Sequence, residues 1–275
     1  MTQKPGAEGD KLFAGSIPKL YEEHLVPLIF QDYAADIVKR LTAAKPLGRI
    51  LEIAAGTGVV TRAMAAALPE TTIVATDLNQ AMLDEARSVS APKNVEWRQA
   101  DAQQLPFDDG MFDAVVCQYG VMFFPDRVKA FSEARRVLKA GGLYLFNVWD
   151  RLADNEFADV ISQALATHFP ADPPGFLGRT PYGYHDPDRI RRDLAEGGFT
   201  KPAQIDTVAF RSRASAARIP SIAYCQGTPL RAELDGRGPG KLEEGTAVAT
   251  EAIARRFGNG AVDAKIQALV VSIRS

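Results

Sequence analysis

Small residues and an acid follow a predicted buried strand near the start of the sequence, in an arrangement that suits nucleotide binding. Ile50 to Ile53 is a short apolar run interrupted only by Glu52, as expected for a strand buried on both faces of a parallel sheet. The turn that follows contains Gly56 and Gly58, which can adopt backbone angles closed to other residues and let a ligand lie against bare main chain. Val59 to Leu68 then has helical spacing, so the first N–H groups of a helix point at that ligand. Strand, glycine turn and helix together predict the nucleotide-binding half of an open α/β fold.

Three acids stand at the ends of predicted strands. Glu52 lies one residue before the end of the first strand, where a purely structural strand would not carry an unpaired carboxylate. Asp77 ends the second strand 19 residues after Gly58, a spacing typical of an acid that binds ribose hydroxyls. Asp101 directly follows the third strand and faces the same crevice; its structural alternative is to cap a nearby turn. Thr61 replaces the third glycine of the dinucleotide fingerprint, which argues against a pyrophosphate pressed onto this turn.

Successive motifs resemble those of the class I S-adenosylmethionine-dependent methyltransferases, most closely the group related to the ubiquinone/menaquinone-biosynthesis methyltransferases. The motifs are LEIAAGTG at Leu51 to Gly58, ATD at Ala75 to Asp77, QADAQQLPF at Gln99 to Phe107, FDAVVCQYGVMFF at Phe112 to Phe124 and RVLKAGGLYLF at Arg136 to Phe146. The resemblance is strong over residues 45 to 150 and thin elsewhere. It implies an α/β fold with a Rossmann-like doubly wound sheet, mostly parallel with an antiparallel edge strand, plus helical cap insertions. It implies S-adenosyl-L-methionine as cofactor and does not name the methyl acceptor.

The resemblance also implies roles for individual residues. Asp101 has the position of the acid that binds the adenine amino group, and Gln118 and Tyr119 lie along the passage between sulfonium and acceptor. N-terminal helices in the family cover the cofactor, so Tyr21, and less strongly Tyr33, is expected to contact it; the alternative is that each ring packs on the core. The predicted cofactor-binding residues are Glu52, Ala54, Gly56, Gly58, Asp77, Leu78, Met82, Asp101, Ala102, Gln118 and Tyr21.

Methyl transfer from a sulfonium is an in-line displacement that requires positioning of donor and acceptor more than chemical activation. It needs no metal, and no metal-ligand cluster stands out in the sequence. An acceptor that must lose a proton would need a base within hydrogen-bond reach. His185, His24 and Tyr119 are weak candidates for a catalytic role, because a lone histidine is more often structural.

The chain is predicted to form one continuous domain in three parts. Residues 1–44 are a helical cover that follows a loose N-terminal tail, with a helix break at Pro27. Residues 45–150 are the cofactor-binding core, in which Gly141 and Gly142 end a helix. Residues 151–275 complete the sheet and add a lid, Pro170 to Tyr184, and an insertion for the acceptor that includes a glycine-rich loop, Gly227 to Gly240.

The composition favours a globular protein that acts on small molecules. The chain has 275 residues, of which 46% are hydrophobic, and 32 basic against 34 acidic residues give a net charge of −2. Without a basic excess, neither a nucleic acid nor an anionic membrane surface is expected as a partner, and no apolar run is long enough for membrane insertion. Two cysteines predict no disulfide framework, which favours the cytoplasm. A homodimer is compatible with the sequence.

The sequence is compatible with three functions. The first is a methyltransferase acting on O, N or C of a small molecule. The second is an NAD-dependent oxidoreductase on a similar sheet, which Thr61 opposes. The third is a non-catalytic module that binds S-adenosylmethionine and lacks an open acceptor side. Methylation of a protein is a weaker reading, because nothing in the sequence suggests a groove for an extended peptide.

Overall fold

The computed structural model describes Gly9, Phe13, residues 15–44 and residues 47–275. The predicted N-terminal tail lies almost wholly outside these residues. Seven strands follow in chain order: β1 Arg49–Ile53, β2 Thr72–Asp77, β3 Val95–Gln99, β4 Phe112–Gln118, β5 Leu138–Trp149, β6 Gln204–Ala214 and β7 Val262–Arg274. The α-helices are α1 Ile17–Leu20, α2 Gln31–Ala43, α3 Val59–Ala67, α4 Gln80–Val89, α5 Arg127–Val137, α6 Glu156–His168, α7 Phe176–Arg179, α8 Pro187–Glu196, α9 Arg218–Gln226, α10 Leu230–Asp235 and α11 Lys241–Phe257. A π-helix spans Tyr21–Phe30, and short 3₁₀ helices span Val121–Phe123 and Leu152–Asp154.

The strands form one sheet in the order β3-β2-β1-β4-β5-β7-β6. The pairings β1–β2, β2–β3, β1–β4 and β4–β5 are all parallel. Helices α3, α4 and α5 form the crossovers within the parallel pairs β1–β2, β2–β3 and β4–β5. The chain builds the sheet outward from β1 to β3 and then returns to the other side of β1 with β4. The carboxyl ends of β1, β2 and β4 therefore meet at one edge of the sheet, and Glu52, Asp77 and Gln118 lie at these strand ends.

Antiparallel pairing occurs on the β7 side of the sheet. The main-chain N–H of Ser275 donates to the carbonyl of Gly142 at 3.0 Å, and that of Asp150 donates to the carbonyl of Gln267 at 3.1 Å. The residue numbers rise along β5 as they fall along β7, so the two strands run in opposite directions. The predicted fold class, a mostly parallel Rossmann-like sheet with antiparallel pairing at one edge, is confirmed.

The chain divides into two compact units. The first contains the described residues up to Phe30, together with Trp149–Gly183 and Ala209–Gln267; the second contains Gln31–Val148, Tyr184–Val208 and Ala268–Ser275. The second unit has a core of fully buried apolar side chains from α2, α3 and the central strands, including Ile37, Ile50 and Met64. In the first unit, α11 packs against α6 and α9. The predicted three-part division of the chain remains a prediction.

Three local predictions were wrong. Pro27 does not break the N-terminal helix, because it lies within the π-helix, whose wider turn continues past the missing N–H donor. Gly141 and Gly142 do not end α5; the chain enters β5 directly at Leu138, and the glycines form an irregular start of the strand, with Gly141 at φ 74°. The segment Gly227 to Gly240 is not a continuous loop, because it contains α10.

Candidate functional site

The glycine turn after β1 adopts a backbone that few residue types tolerate. Ala54, Gly56 and Gly58 have φ angles of 55°, 57° and 82°, all in the left-handed region. The main-chain N–H of Gly58 closes the turn on the carbonyl of Ala55 at 2.9 Å. A Cβ atom at Gly58 would lie 2.7 Å from the ring of Trp97, so this glycine is required by its packing as well as its backbone. The turn thus combines left-handed backbone at Ala54, Gly56 and Gly58 with a half-buried Gly56 and a buried Gly58, beside the start of α3.

Asp77 fixes this turn from the neighbouring strand. Its Oδ2 accepts a hydrogen bond from the main-chain N–H of Gly56 at 2.9 Å, and its Oδ1 accepts one from that of Asn79 at 2.8 Å. The side chain is buried. Burial raises the pKa of the carboxyl above its ordinary value, while the two N–H donors oppose that rise. One carboxylate therefore joins the glycine turn to the beginning of α4 and retains acceptor capacity for a ligand's hydroxyl groups.

Glu52 lies beneath the turn with almost no exposure to solvent. Its Oε2 accepts a hydrogen bond from the Thr61 hydroxyl at 2.5 Å. The pKa of Glu52 is raised to about 8, mainly because burial disfavours the ionised form. The Thr61 hydroxyl and Arg62 oppose this rise, and the negative charge of Asp77 adds to it. From the sequence, Thr61 is recognised only as the residue that replaces the third glycine of the dinucleotide fingerprint. In the structure, Thr61 is the hydrogen-bond partner of the buried Glu52. In the sequence, the signal for this pair is an acid near a strand end, Glu52, followed nine residues later by a hydroxyl residue, Thr61.

Asp101 follows β3 at the same edge of the sheet, where the main-chain N–H of Ala100 donates to the carbonyl of Asp77 at 3.0 Å. The Asp101 side chain is exposed. Its Oδ1 accepts from the main-chain N–H of Gln103 at 2.8 Å and from the Gln103 side-chain amide at 3.2 Å. These contacts are those of the turn-capping alternative, and a role for Asp101 toward adenine stays a prediction.

A second turn, at the carboxyl end of β4, lies directly against the glycine turn. Tyr119 has φ 53° and, with Ala54, is one of two non-glycine residues in the left-handed region among the described residues. A Cβ atom at Gly120 would lie 2.5 Å from the Cβ of Ala54 and 2.7 Å from the Sγ of Cys117. The two turns are therefore in van der Waals contact through Ala54 and Gly120. Gln118, in register with Asn147 of β5, starts this second turn.

The other predicted cofactor residues of this unit surround the same turns. The Met82 methyl group would lie 3.5 Å from a Cβ atom at Gly56. Leu78, next to Asp77, is 47% exposed, and among the described residues only it and Val89 are large apolar side chains with such exposure. Ala102 is buried. Leu78 is thus an apolar side chain left uncovered beside the acid that holds the glycine turn, and its contact with a cofactor stays a prediction.

The aromatic residues predicted to cover the cofactor belong to different units. The Tyr33 ring is buried, meets the Tyr119 ring edge-on at 5.5 Å, and its hydroxyl donates to the carbonyl of Val208 at 3.0 Å. Tyr21 belongs to the first unit, where its ring stacks on that of Phe30 at 5.0 Å. The contact of Tyr21 with a cofactor therefore remains a prediction.

The histidines have separate surroundings. His24 lies in the first unit, 3.9 Å from Glu23. His168 bonds to Glu244 at 2.6 Å in the same unit. His185 lies in the second unit just before α8 and is half-buried. His24 lies outside the unit that contains the two turns, whereas His185 lies within it. The catalytic roles of both histidines stay predictions, as does that of Tyr119.

The described residues form neither a metal-ligand cluster nor a helix that could span a membrane. Among the described residues, no group of three or more His, Cys, Asp or Glu side chains is arranged to hold a metal ion. None of the helices in these parts of the chain combines the length and hydrophobicity that a bilayer span requires.

The sequence of the core matches known proteins. Residues 51–146 match the model of a family described as methyltransferase domain. A ubiquinone/menaquinone biosynthesis C-methyltransferase of Teredinibacter turnerae is 38% identical over 110 residues, which cover 38% of this chain and 44% of that protein. An uncharacterized protein of Mycobacterium tuberculosis is 33% identical over 147 residues, which cover 52% of this chain and 53% of that protein. The chain spans about half the length of the curated relatives it matches.

The fold also resembles a solved methyltransferase structure. Phosphoethanolamine N-methyltransferase 2 of Haemonchus contortus, in complex with phosphomonomethylethanolamine and S-adenosylhomocysteine, matches with a TM-score of 0.58 at 17% identity, covering 94% of this chain and 56% of that chain. At this identity the likeness concerns the fold alone. The sequence match concerns the core: residues 51–146, which carry the glycine turn, its two buried acids and the turn after β4, match the methyltransferase-domain family.

Proposed function

We propose that this protein transfers a methyl group from S-adenosylmethionine to a small-molecule acceptor by in-line displacement. The observation that carries the proposal is the buried carboxylate of Asp77, which holds the Gly56 main chain in its left-handed turn at the carboxyl edge of a methyltransferase domain. A half-buried glycine without a side chain at position 56, an acid with spare acceptor capacity and an exposed Leu78 suit a ribose and an adenine. The family of the core favours this reading over an NAD-dependent oxidoreductase.

The residues of the two turns have distinct parts in the proposed reaction. Asp77 accepts hydrogen bonds from the ribose hydroxyls, and Gly56 and Gly58 allow the nucleoside to approach the main chain. Glu52 places a titratable carboxyl beneath the turn, where ionisation would favour a bound cation. When bound, the cofactor supplies a methyl group activated by a sulfonium. Gln118 and Tyr119 form the wall that orients the acceptor for attack along the methyl–sulfur axis.

The cofactor is tested by calorimetric titration of the purified protein with S-adenosylhomocysteine and, separately, with NAD. We expect saturable binding of S-adenosylhomocysteine and none of NAD. Tight binding of NAD without binding of S-adenosylhomocysteine would refute the proposal and favour the oxidoreductase.

The acceptor is tested by incubating the protein and a metabolite extract with methyl-labelled S-adenosylmethionine and identifying labelled products by mass. The variant Asp77→Ala, which lacks the proposed ribose acceptor, serves as the matched control. We expect a labelled small molecule that is formed by the wild-type protein and much less by the variant. Binding of the cofactor without any labelled product across extracts would favour the non-catalytic module instead.

The partners and location of the protein are proposals as well. Near-neutral net charge supports a small-molecule acceptor over a nucleic acid. Cytoplasmic location and a homodimer are compatible with the composition.

A further inference from the structure

A buried side chain of β5 is only half satisfied in its hydrogen bonds. Asn147 has no exposure to solvent, and its Oδ1 accepts from the main-chain N–H of Tyr119 at 3.0 Å. The same N–H also lies 3.2 Å from the main-chain carbonyl of Asn147. The Asn147 Nδ2 has no hydrogen-bond partner among the residues that the structure describes. The orientation of the amide is fixed by chemistry, because the N–H of Tyr119 is a donor and only Oδ1 can accept it.

Stability alone does not account for an asparagine at this position. A buried donor without a partner is unfavourable, and an apolar side chain of similar size would fill the same space without that penalty. The Tyr119 N–H would keep its bond to the main-chain carbonyl. Buried polar groups that are left partly unsatisfied are uncommon in native proteins and are found preferentially where function requires them.

The group that Asn147 holds is strained. Tyr119 has φ 53°, a conformation that L-residues avoid and that tyrosine has no special ability to adopt. The next residue, Gly120, lies so close to Ala54 that a Cβ atom would collide with it. Ala54 is itself in the left-handed region at φ 55° and begins the glycine turn. A change in the conformation of Tyr119 would therefore move Gly120 and press on the proposed cofactor-binding turn.

We propose that Asn147 is a positioning residue for the proposed methyltransferase site: its side chain holds Tyr119 in the left-handed conformation and so keeps the Gln118–Gly120 turn in place against Ala54. The proposal rests on the proposed function, since the turn it protects is the one assigned to S-adenosylmethionine. Asn147 acts through Tyr119 and needs no contact with the cofactor. This positioning role would explain why a buried amide with an unpaired donor is retained at position 147.

The first test replaces Asn147 by leucine and measures affinity for S-adenosylhomocysteine by calorimetry together with the thermal midpoint. The left-handed conformation is disfavoured for an L-residue by roughly tenfold, so Asn147→Leu is expected to bind the probe about tenfold more weakly. The thermal midpoint is expected to stay unchanged or rise, because the unpaired donor is removed. The stability control is Asn155→Leu. Asn155 is also fully buried, but its side chain bonds to the main chain at Arg151 and Gln267, so that variant should melt at a lower temperature.

The second test is a double-mutant cycle with Tyr119→Gly. Glycine adopts the left-handed conformation about as readily as the right-handed one, so a turn containing it depends little on a clamp. In the Tyr119→Gly background, Asn147→Leu is therefore expected to weaken binding only about twofold, against about tenfold with Tyr119 present. The ring contact between Tyr119 and Tyr33 is lost in both arms of that background and cancels in the cycle. Should Asn147→Leu alone fail to fold, the double variant is expected to fold again and bind the probe.

The outcomes separate this inference from the proposed function. If the wild-type protein does not bind S-adenosylhomocysteine, both are overturned. If the wild-type protein binds it and Asn147→Leu binds equally well, only the role of Asn147 is wrong. The same conclusion follows if the loss is equal with and without Tyr119, if Asn147→Leu melts as low as Asn155→Leu, or if the double variant also fails to fold.

Discussion

The pH dependence of stability is the sharpest consequence of the buried Glu52. Its pKa of about 8 lies above the ordinary 4.5, because burial disfavours the ionised form. Between these two values the unfolded chain has released the proton that the folded protein retains. The contribution of Glu52 to the free energy of unfolding therefore falls as the pH rises from 4.5 to 8, and it is fully present only below pH 4.5.

The size of the effect follows from the same values. Each pH unit over which the folded protein holds one additional proton lowers the free energy of unfolding by about 1.4 kcal/mol. Over the window from 4.5 to 8 the loss from Glu52 is therefore about 5 kcal/mol, a large part of the stability of a typical domain. Asp77, whose pKa is also raised, adds a change of the same sign, so the contribution of Glu52 must be isolated by substitution.

The substitution Glu52→Gln isolates it, because glutamine has the shape of the protonated acid and its Oε1 can still accept the Thr61 hydroxyl. We expect the variant to match the wild type near pH 4.5 and to be more stable by about 5 kcal/mol at pH 8. Glu70→Gln, at an exposed turn, removes the same formal charge and is the control. Unfolding in urea at several pH values would be followed by the fluorescence of Trp97 in a Trp149→Phe background, which leaves one of the two tryptophans. A stability difference between variant and wild type that does not grow with pH would refute the reasoning.

Two further substitutions have matched controls elsewhere in the same unit. Asp77→Ala should weaken S-adenosylhomocysteine binding by about 1–3 kcal/mol in calorimetry. Its control, Asp113→Ala, also removes a carboxylate that accepts from two main-chain N–H groups, but at the opposite end of β1, so it should lower stability and leave affinity unchanged. Equal affinities for both variants would contradict the role of Asp77. Gly56→Ala and Gly110→Ala place alanine at φ angles of 57° and 65°, at a similar backbone cost of about 1–2 kcal/mol. Only the first should impair binding of the probe, because its Cβ atom enters the proposed site, and loss of affinity in both variants would show that backbone strain alone is responsible.

Local sequence patterns determined the elements of the core. The short apolar run of β1, the glycines after it and the helical spacing of α3 are each encoded within a few residues, so their order predicts a nucleotide-binding unit. Asp77 was predicted from its distance to Gly58 and its place at a strand end, and the structure brings its carboxylate to Gly56. Where local rules failed, a neighbouring element had overridden them: the π-helix continued through Pro27, and β5 incorporated Gly141 and its neighbour.

Contacts between distant parts of the chain were decided only by the tertiary structure. Sheet order places β5 beside β4, which lets Asn147 reach the N–H of Tyr119 across 28 residues of sequence. The left-handed conformation of Tyr119, its contact with the glycine turn through Gly120 and the raised pKa of Glu52 all depend on which side chains exclude water and which groups are left beside them. The sequence by itself determined the strand, glycine turn and helix that carry the predicted nucleoside site, because the signals for these elements are local. Their strain, burial and mutual support were set by packing, because those properties exist only once separate strands have been brought together.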